Sequence, residues 1–418
     1  MDKIIITGGH RLTGTVSISG AKNSAVAILP AALLADEGIT KITNLPNIED
    51  IHSLENTIKF LGGTITTDEH SAIIDCSTIN SFSATNEETK HMRASYYLLT
   101  PLLLKYKKVE INFPGGCSIG ARPIDLHLKA LQAMGATYET KNGLIKLEAP
   151  NGLKGTTIYF DTVSVGATIN IMLAASKAEG TTILKNAAKE PHVIDVANFL
   201  NKMGASIHGV GTDTITIKGV DKLVAVEHSV VPDQIEAGTY MIAAAATQGD
   251  VIINNVVPSH LDFLSCKLEE MGAEITKTKD AIRVTCNGRP QKNDIKTAPY
   301  PGFPTDLQQP MSTLFGIAEG TSVICESIWE NRFKHLNELQ KMGMQFKIEG
   351  KVAVIDGVET LSGTEVEATD LRGGAAMVIA GLVADGTTTI TNTIHIDRGY
   401  EFIESKLQKL GANIIRTK

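Results

Sequence analysis

Arginine is scarce in this chain of 418 residues, with nine against thirty lysines. Acidic residues outnumber basic ones, 46 to 39, for a formal net charge of −7. That balance lacks the basic footprint of a general nucleic-acid binder. It leaves room for local cationic pockets that hold small anions. Long apolar runs are also missing: the longest, residues 24–35, has 12 residues and contains Pro30. A membrane-spanning helix needs about 20, so no membrane association is expected. The opening MDKIIITGGH has no signal-peptide core and reads as a strand and a turn. Five scattered cysteines include no CxxC pair. Neither a disulfide framework nor a zinc site follows, and a reducing cytoplasm is the expected compartment. The phosphate-binding GxxxxGK[ST] pattern and the dinucleotide fingerprint are absent too.

What is present is a repeat. The tripeptides at Gly62, Gly135, Gly204, Gly272, Gly343 and Gly411 place a glycine after leucine or methionine, at intervals of 73, 69, 68, 71 and 68 residues. Six units of about 70 residues fill the chain, an α/β arrangement in two or three domains. Each glycine ends an amphipathic helical pattern and precedes a strand. In 400–411 the apolar positions 400, 403, 407 and 410 share one helical face, and Gly411 supplies a left-handed cap. An earlier helix in each unit is small and apolar nearly all round, as in 374–384, and is expected to be buried. It ends at Gly38, Gly180, Gly249, Gly320 or Gly386; in the second unit Lys108 stands there. That unit is also longer, and the excess falls on residues 113–122, a loop expected to have its own purpose.

Because lysine is the default cation, each arginine raises the question of whether a planar fork is required. Arg93, Arg122, Arg332, Arg372 and Arg398 all fall in turn-like segments. If convergent they would hold several phosphates or carboxylates; otherwise they are surface ion pairs. The segment GAKNS, 20–24, opens the first buried helix. Lys22 there adds a full charge to a helix start, with Asn23 or Ser24 as the cap. Cys117 lies between glycines near Arg122, a setting that favours a reactive thiol. Residues 297–306 hold three prolines and end in Asp306, either a rigidly held base or a helix cap. Ser164, Val165 and Gly166 precede the third buried helix, as an anion site or a serine cap.

Taken in order, GAKNS at 20–24, MRAS at 92–95, PGGCSIGARPIDLH at 114–127, VSVGAT at 163–168, NAAKEPHVID at 186–195, FPTDLQ at 303–308, ENRF at 330–333, DLRGGAA at 370–376 and HIDRGYE at 395–401 resemble the UDP-N-acetylglucosamine enolpyruvyl transferase family of the EPSP synthase superfamily. The resemblance runs the length of the chain. It implies two inside-out α/β domains, each of three βαβαββ-type repeats, around an interdomain cleft. The first domain is expected at 22–230; the second takes 1–21 and 231–418.

The implied reaction moves the enolpyruvyl group of phosphoenolpyruvate to the 3′-hydroxyl of UDP-N-acetylglucosamine and releases phosphate, by addition and elimination through a tetrahedral ketal. This is the first committed step of peptidoglycan synthesis. By resemblance, Lys22, Asn23, Arg122 and Arg398 clamp phosphoenolpyruvate, Cys117 is the general acid and the target of fosfomycin, and Asp306 is the base. Arg122, Pro123, Ile124, Asp125 and Leu126 hold the uridine. Ser164, Val165 and Gly166 hold the diphosphate, and Arg93 and Ile328 the nucleotide sugar. Arg332, Asp370 and Arg372 support or close the site. No metal or organic cofactor is implied. Thr162 stands where many relatives carry a lysine, which shifts diphosphate binding toward Arg122. The shikimate-pathway relatives share donor and architecture but lack the Cys117 loop. A sugar-nucleotide-binding protein without turnover would not need Cys117, Asp306 and Lys22 together.

Overall fold

The structure, a computed structural model, describes residues 2–113, 115 and 124–417. Cys117, Arg122 and Pro123, all expected at the site, lie outside the described residues, as does most of the long loop of the second repeat. Described residues 20–113, 115 and 124–231 form one compact unit, and residues 2–19 with 232–417 form another.

The described residues contain six four-stranded sheets of one topology. In the fifth repeat the short strand Asp294–Lys296 runs parallel to Thr321–Cys325, which pairs antiparallel with Val352–Asp356, and that strand pairs antiparallel with Gln345–Glu349. Parallel neighbours cannot be joined by a tight turn, so a helix makes the crossover. Here it is Gln308–Ile317, and His335–Lys341 lies between the second strand and the closing hairpin.

Three strands reach their sheets from outside the local run of chain. Glu227–Ser229 pairs with Thr40–Thr43 and supplies the edge of the first sheet. In the other unit Thr13–Ser17 pairs with Asp250–Asn254, while Lys3–Thr7 sits between Thr387–Thr391 and Asn413–Thr417. The N-terminal residues thus complete two sheets otherwise built from distant sequence.

The crossover helices are the core. Every residue of Gln308–Ile317 is buried, as are all but two of Leu371–Val383. A short helix apolar all round is unstable in water and must be enclosed. Gln234–Ala246, Gln308–Ile317 and Leu371–Val383 pack on one another in their unit. In the other, Lys22–Ala32 meets the 3₁₀ helix Arg93–Leu98, and Leu99–Tyr106 meets Val165–Ala175. Small residues allow the approach: a Cβ at Gly238 would lie 2.5 Å from Leu307, and one at Gly374 2.5 Å from Ile396. Each wholly buried leucine or isoleucine contributes roughly 1.5–3 kcal/mol. The sheets lie outside, with one face on the helices and one toward solvent, as in the exposed–buried–exposed strand Thr157–Tyr159.

The repeat glycines do what their spacing implies. Gly62, Gly135, Gly204, Gly272, Gly343 and Gly411 have φ between 90° and 107°. Each helix ends in the paired hydrogen bonds of a Schellman motif, as in Gly272 N to Glu269 O at 3.0 Å and Ala273 N to Leu268 O at 3.0 Å. Three details differ from expectation. Lys108 begins the strand Lys108–Asn112, and the left-handed residue before it is Lys107, with φ 60°. In the fourth repeat Gln248, with φ 51°, takes that role instead of Gly249. The last helix covers only Ile403–Lys409, yet Tyr400, Ile403, Leu407 and Leu410 are all buried.

A further repeated device was not foreseen. Asn44, Asn186, Asn255 and Asn392 each follow the second strand of a sheet with φ between 51° and 58°. Three of them donate from Nδ2 to the carbonyl just after the parallel edge strand: Asn44 to Val230 at 2.7 Å, Asn186 to Phe160 at 2.8 Å and Asn255 to Ile18 at 2.6 Å.

A Cβ at Gly272 would meet no atom within 4 Å, so Gly272→Ala tests backbone strain alone. Urea denaturation should show a loss of about 1–2 kcal/mol; an unchanged midpoint would refute the cap.

Candidate active site

In the unit of residues 20–231, Lys22 is the first residue of the helix Lys22–Ala32. Its Nζ lies 2.8 Å from Asp50 Oδ2, and both side chains are about nine-tenths buried. Lys22 is therefore a buried, paired charge and not a solvated surface lysine. Gly20 is required just before it, since a Cβ there would fall 1.7 Å from the Asn44 carbonyl oxygen. Neither Asn23 nor Ser24 caps this helix; the N-cap position is Ala21, whose side chain makes no capping hydrogen bond. Ser24 Oγ instead donates to Asp195, which also accepts from His228 Nε2 at 2.9 Å and Val231 N at 3.1 Å. Asn23 remains half-buried on the first turn.

A second cluster forms at the start of Val165–Ala175. Ser164 Oγ accepts from Ala167 N at 3.3 Å, so it is a cap. Gly166 leaves the space in which two rings pack: a Cβ there would stand 2.7 Å from His127 Nε2 and 2.8 Å from Tyr96 Oη. The Tyr96 and His127 rings are 4.9 Å apart, and the Arg93 guanidinium lies 5.9 Å from the Tyr96 ring centre. Ile124 precedes the helix Asp125–Ala133, whose first residues include Asp125 and Leu126, and that helix packs on Val165–Ala175. The fold thus brings Arg93, the Ile124–Leu126 segment and Ser164–Gly166 into one neighbourhood. His127 belongs to it as well, although the sequence offered no role for it beyond its place in RPIDLH. Burial, with a further push from Arg93, lowers its pKa to about 3, and among the described residues neither ring nitrogen has a hydrogen-bond partner.

In the unit of residues 2–19 and 232–417, the centre is Asp306. It sits in the short 3₁₀ helix Thr305–Leu307, before Gln308–Ile317. It does not cap that helix. Arg332 Nη2 donates to its Oδ1 at 2.8 Å and Arg372 Nη2 to its Oδ2 at 3.3 Å. Both arginines are almost wholly buried, while the Asp306 side chain keeps 28% of its surface exposed. Two of the five arginines therefore converge on one carboxylate. Arg372 lies in the first turn of Leu371–Val383 and not in a turn as its sequence suggested. It stacks 5.2 Å from the Tyr400 ring centre; Tyr400 and Asp306 favour its charged form, outweighing the opposing effect of burial.

Asp370 caps the same helix, its Oδ1 accepting from Arg372 N at 3.0 Å and Gly373 N at 3.1 Å. Its Oδ2 accepts from Gln309 Nε2 at 2.9 Å. His335 is fully buried, with Nε2 2.6 Å from Ser312 Oγ. Burial first, and Arg332 against the opposing Asp370, push its pKa down to about 4. Arg398, half-buried, ends the short helix Ile394–Asp397. Ile328 donates its backbone N–H to Glu326 Oε1 at 2.8 Å.

Chemically, Asp306 is a partly exposed carboxylate whose plane is set by two guanidiniums, one on each oxygen. The remaining lone pairs can take a hydroxyl proton. The starts of Lys22–Ala32 and Val165–Ala175 offer backbone amides to anions. Among the described residues no His, Cys, Asp and Glu group has the arrangement of a metal site, and no helix is long and apolar enough to cross a membrane.

Residues 6–407 match the family model described as EPSP synthase (3-phosphoshikimate 1-carboxyvinyltransferase). The chain is 58% identical over 418 residues to UDP-N-acetylglucosamine 1-carboxyvinyltransferase 3 of Caldanaerobacter subterraneus subsp. tengcongensis, covering 100% of both. It is 56% identical over 417 residues to UDP-N-acetylglucosamine 1-carboxyvinyltransferase of Clostridium botulinum, again covering 100% of each. Among solved structures it resembles the enolpyruvyl transferase NikO from Streptomyces tendae, with TM-score 0.89, 26% identity, and coverage of 100% of this chain and 99% of that one. EPSP synthase from Acinetobacter baumannii shares the fold, with TM-score 0.77, 21% identity and 100% coverage of each.

The two histidines predict a pH dependence. His127 and His335 stay neutral in the folded chain well below the ordinary histidine pKa of 6.5. Unfolded, they take up protons below that value, so their contribution to stability is complete above pH 6.5 and is lost as the pH falls to about 4 for His335 and about 3 for His127. The slope approaches 1.4 kcal/mol per pH unit for each histidine. Denaturation at pH 5 and 7 should show it, and His335→Gln should remove about one proton from the slope. A slope unaltered by that substitution would contradict the assignment.

Proposed function

Since the chain belongs to the EPSP synthase (3-phosphoshikimate 1-carboxyvinyltransferase) family, we propose that within it this chain acts on UDP-N-acetylglucosamine as the acceptor. It is a transferase that moves the enolpyruvyl group of phosphoenolpyruvate to the 3′-hydroxyl of that sugar nucleotide and releases phosphate, the first committed step of peptidoglycan synthesis. The observation that carries this reading is the identity of 58% along the full length of a UDP-N-acetylglucosamine 1-carboxyvinyltransferase.

The residue roles are our own reading. Lys22, Asn23, Arg122 and Arg398 hold the phosphate and carboxylate of phosphoenolpyruvate. The buried Lys22–Asp50 pair at 2.8 Å supports this, because it keeps the ammonium at a helix start. Cys117 gives its proton to the methylene carbon, making C2 electrophilic. The 3′-hydroxyl oxygen bonds to C2 while Asp306 takes the hydroxyl proton, giving the tetrahedral ketal. Loss of a proton from the new methyl group then restores the C=C double bond as the C2–O bond to phosphate breaks. The two arginines on Asp306 support its role by fixing where that carboxylate stands before the hydroxyl arrives. Arg332, Asp370 and Arg372 act through Asp306.

For the acceptor, Arg122, Pro123, Ile124, Asp125 and Leu126 take the uridine and Ser164, Val165 and Gly166 the diphosphate, with Arg93 and Ile328 on the nucleotide sugar. The convergence of Arg93 and the segment 124–126 on the helix start at Ser164 supports this reading. Neutral His127 beside Gly166 adds a hydrogen-bonding ring without adding charge.

Purified protein should release phosphate from phosphoenolpyruvate with UDP-N-acetylglucosamine and not with shikimate 3-phosphate. Release with the second acceptor alone would overturn the assignment. Cys117→Ala should lower kcat by 10²-fold or more while Cys117→Asp keeps turnover; full activity of the alanine variant would remove the thiol from the mechanism.

A further inference from the structure

We infer that Glu326 is a positioning residue for this reaction, holding both Asp306 and the Ile328 backbone in place; the inference rests on the reading of Asp306 as the base. Glu326 is 1% exposed and directly follows the strand Thr321–Cys325. Its Oε1 accepts from Thr297 Oγ1 at 2.9 Å, Ile328 N at 2.8 Å and Trp329 N at 3.1 Å. Its Oε2 accepts from Thr305 Oγ1 at 2.8 Å. All four donors are neutral. Thr297 is bound a second time, since its hydroxyl accepts from Ser327 N at 2.8 Å and its carbonyl accepts from Ser327 Oγ.

The repeat shows what this position ordinarily does. At the same place after the second strand, the first, third, fourth and sixth repeats carry Asn44, Asn186, Asn255 and Asn392, all left-handed. In three of them the asparagine ties down the residue after the parallel edge strand. In the fifth repeat that residue is Thr297, and Glu326 binds it through its hydroxyl. The sheet therefore needs only one of the contacts Glu326 makes. The contacts to Thr305, Ile328 and Trp329 go beyond it, at the cost of burying a carboxylate.

Those additional contacts reach two places that matter. Thr305 immediately precedes Asp306, whose carboxylate is held from its other side by Arg332 and Arg372. Ile328 belongs to the segment read as touching the nucleotide sugar. One buried carboxylate thus locks the backbone under the base to the backbone under the acceptor. A displacement of about 1 Å at such a group can cost about 10²-fold in rate.

The test is steady-state kinetics on the full chain with phosphoenolpyruvate and UDP-N-acetylglucosamine, together with thermal unfolding. Glu326→Asn restores the side chain used by the other repeats. It should keep the unfolding midpoint within a few degrees, lower kcat about 10²-fold, raise KM for UDP-N-acetylglucosamine several-fold and leave KM for phosphoenolpyruvate unchanged. Glu326→Gln keeps an acceptor for the two amides and can donate to Thr305, so it should recover most of the loss. Thr305→Val removes the single contact nearest the base and should lower kcat about tenfold; it decides the matter if the Glu326 variants do not fold. The double variant Asp306→Asn with Glu326→Asn should be no slower than Asp306→Asn alone. Wild-type kcat in both Glu326→Asn and Thr305→Val, with Asp306→Asn inactive, would overturn the role of Glu326 while leaving Asp306 standing. A loss shared equally by both KM values, with a lowered unfolding midpoint, would reduce Glu326 to a structural part. Wild-type turnover by Asp306→Asn would remove the base reading and this inference together.

Discussion

An apolar helix with no polar face must be enclosed on every side, and the rest of this architecture follows from that constraint. Helices such as Leu371–Val383 have no polar side chain to offer water beyond Arg372 in the first turn. Sheets must therefore cover them from outside. Once the helix is the core, its inner side chains are committed to packing or to buried hydrogen bonds such as Ser312 with His335, and polar groups that can meet a ligand stand at its ends. Lys22, Arg93 and Ser164 stand at the starts of buried segments in one unit; Asp306, Asp370 and Arg372 do so in the other. The repeat delivers such side chains to equivalent places three times in the first unit and twice in the second, where Asp370 and Arg372 share one helix start. The starts also carry backbone amides without intrahelical partners, which makes them fit for phosphates and carboxylates.

Electrostatics at Asp306 shows how such a place is made firm. Two guanidiniums, both buried, each take one oxygen of a half-open carboxylate. Burying an arginine is costly unless its charge is met, so the pairing constrains all three residues at once. Arg372 is pinned further by Tyr400 and by the helix turn that Asp370 caps. Glu326 holds the adjoining backbone from the other side. Lys22 and Asp50 repeat the principle with a single pair. In each case a long flexible cation has become a fixed part of the wall.

The six-fold repeat was legible because it rests on a local rule. Only glycine enters φ near 90° at no cost, so Gly62, Gly135, Gly204, Gly272, Gly343 and Gly411 mark helix ends wherever they fall. The same rule failed at Lys107 and Gln248, where surrounding structure holds a residue with a side chain in the left-handed region. The asparagine clamps went unseen for a related reason: asparagine enters that region too, but is common enough in loops that its four repeats carry no obvious period. Arg372 falls in a turn-like stretch of sequence, yet the Asp370 cap and tight packing at Gly374 draw it into a helix.

Helix ends, apolar faces and the order of the repeat are properties of short stretches of chain, and composition with spacing alone determined them here, along with the motif series that points to the enolpyruvyl transferases. Partnerships were decided by tertiary structure. Whether Asp306 caps a helix or meets two arginines, whether Ser24 closes its own helix or reaches Asp195, and whether Glu326 lies at a surface or meets Thr297 and Thr305 depends on groups 21 to 171 residues away. A side-chain hydrogen bond is directional and short, so the choice among local and distant partners is made only when packing has set the distances.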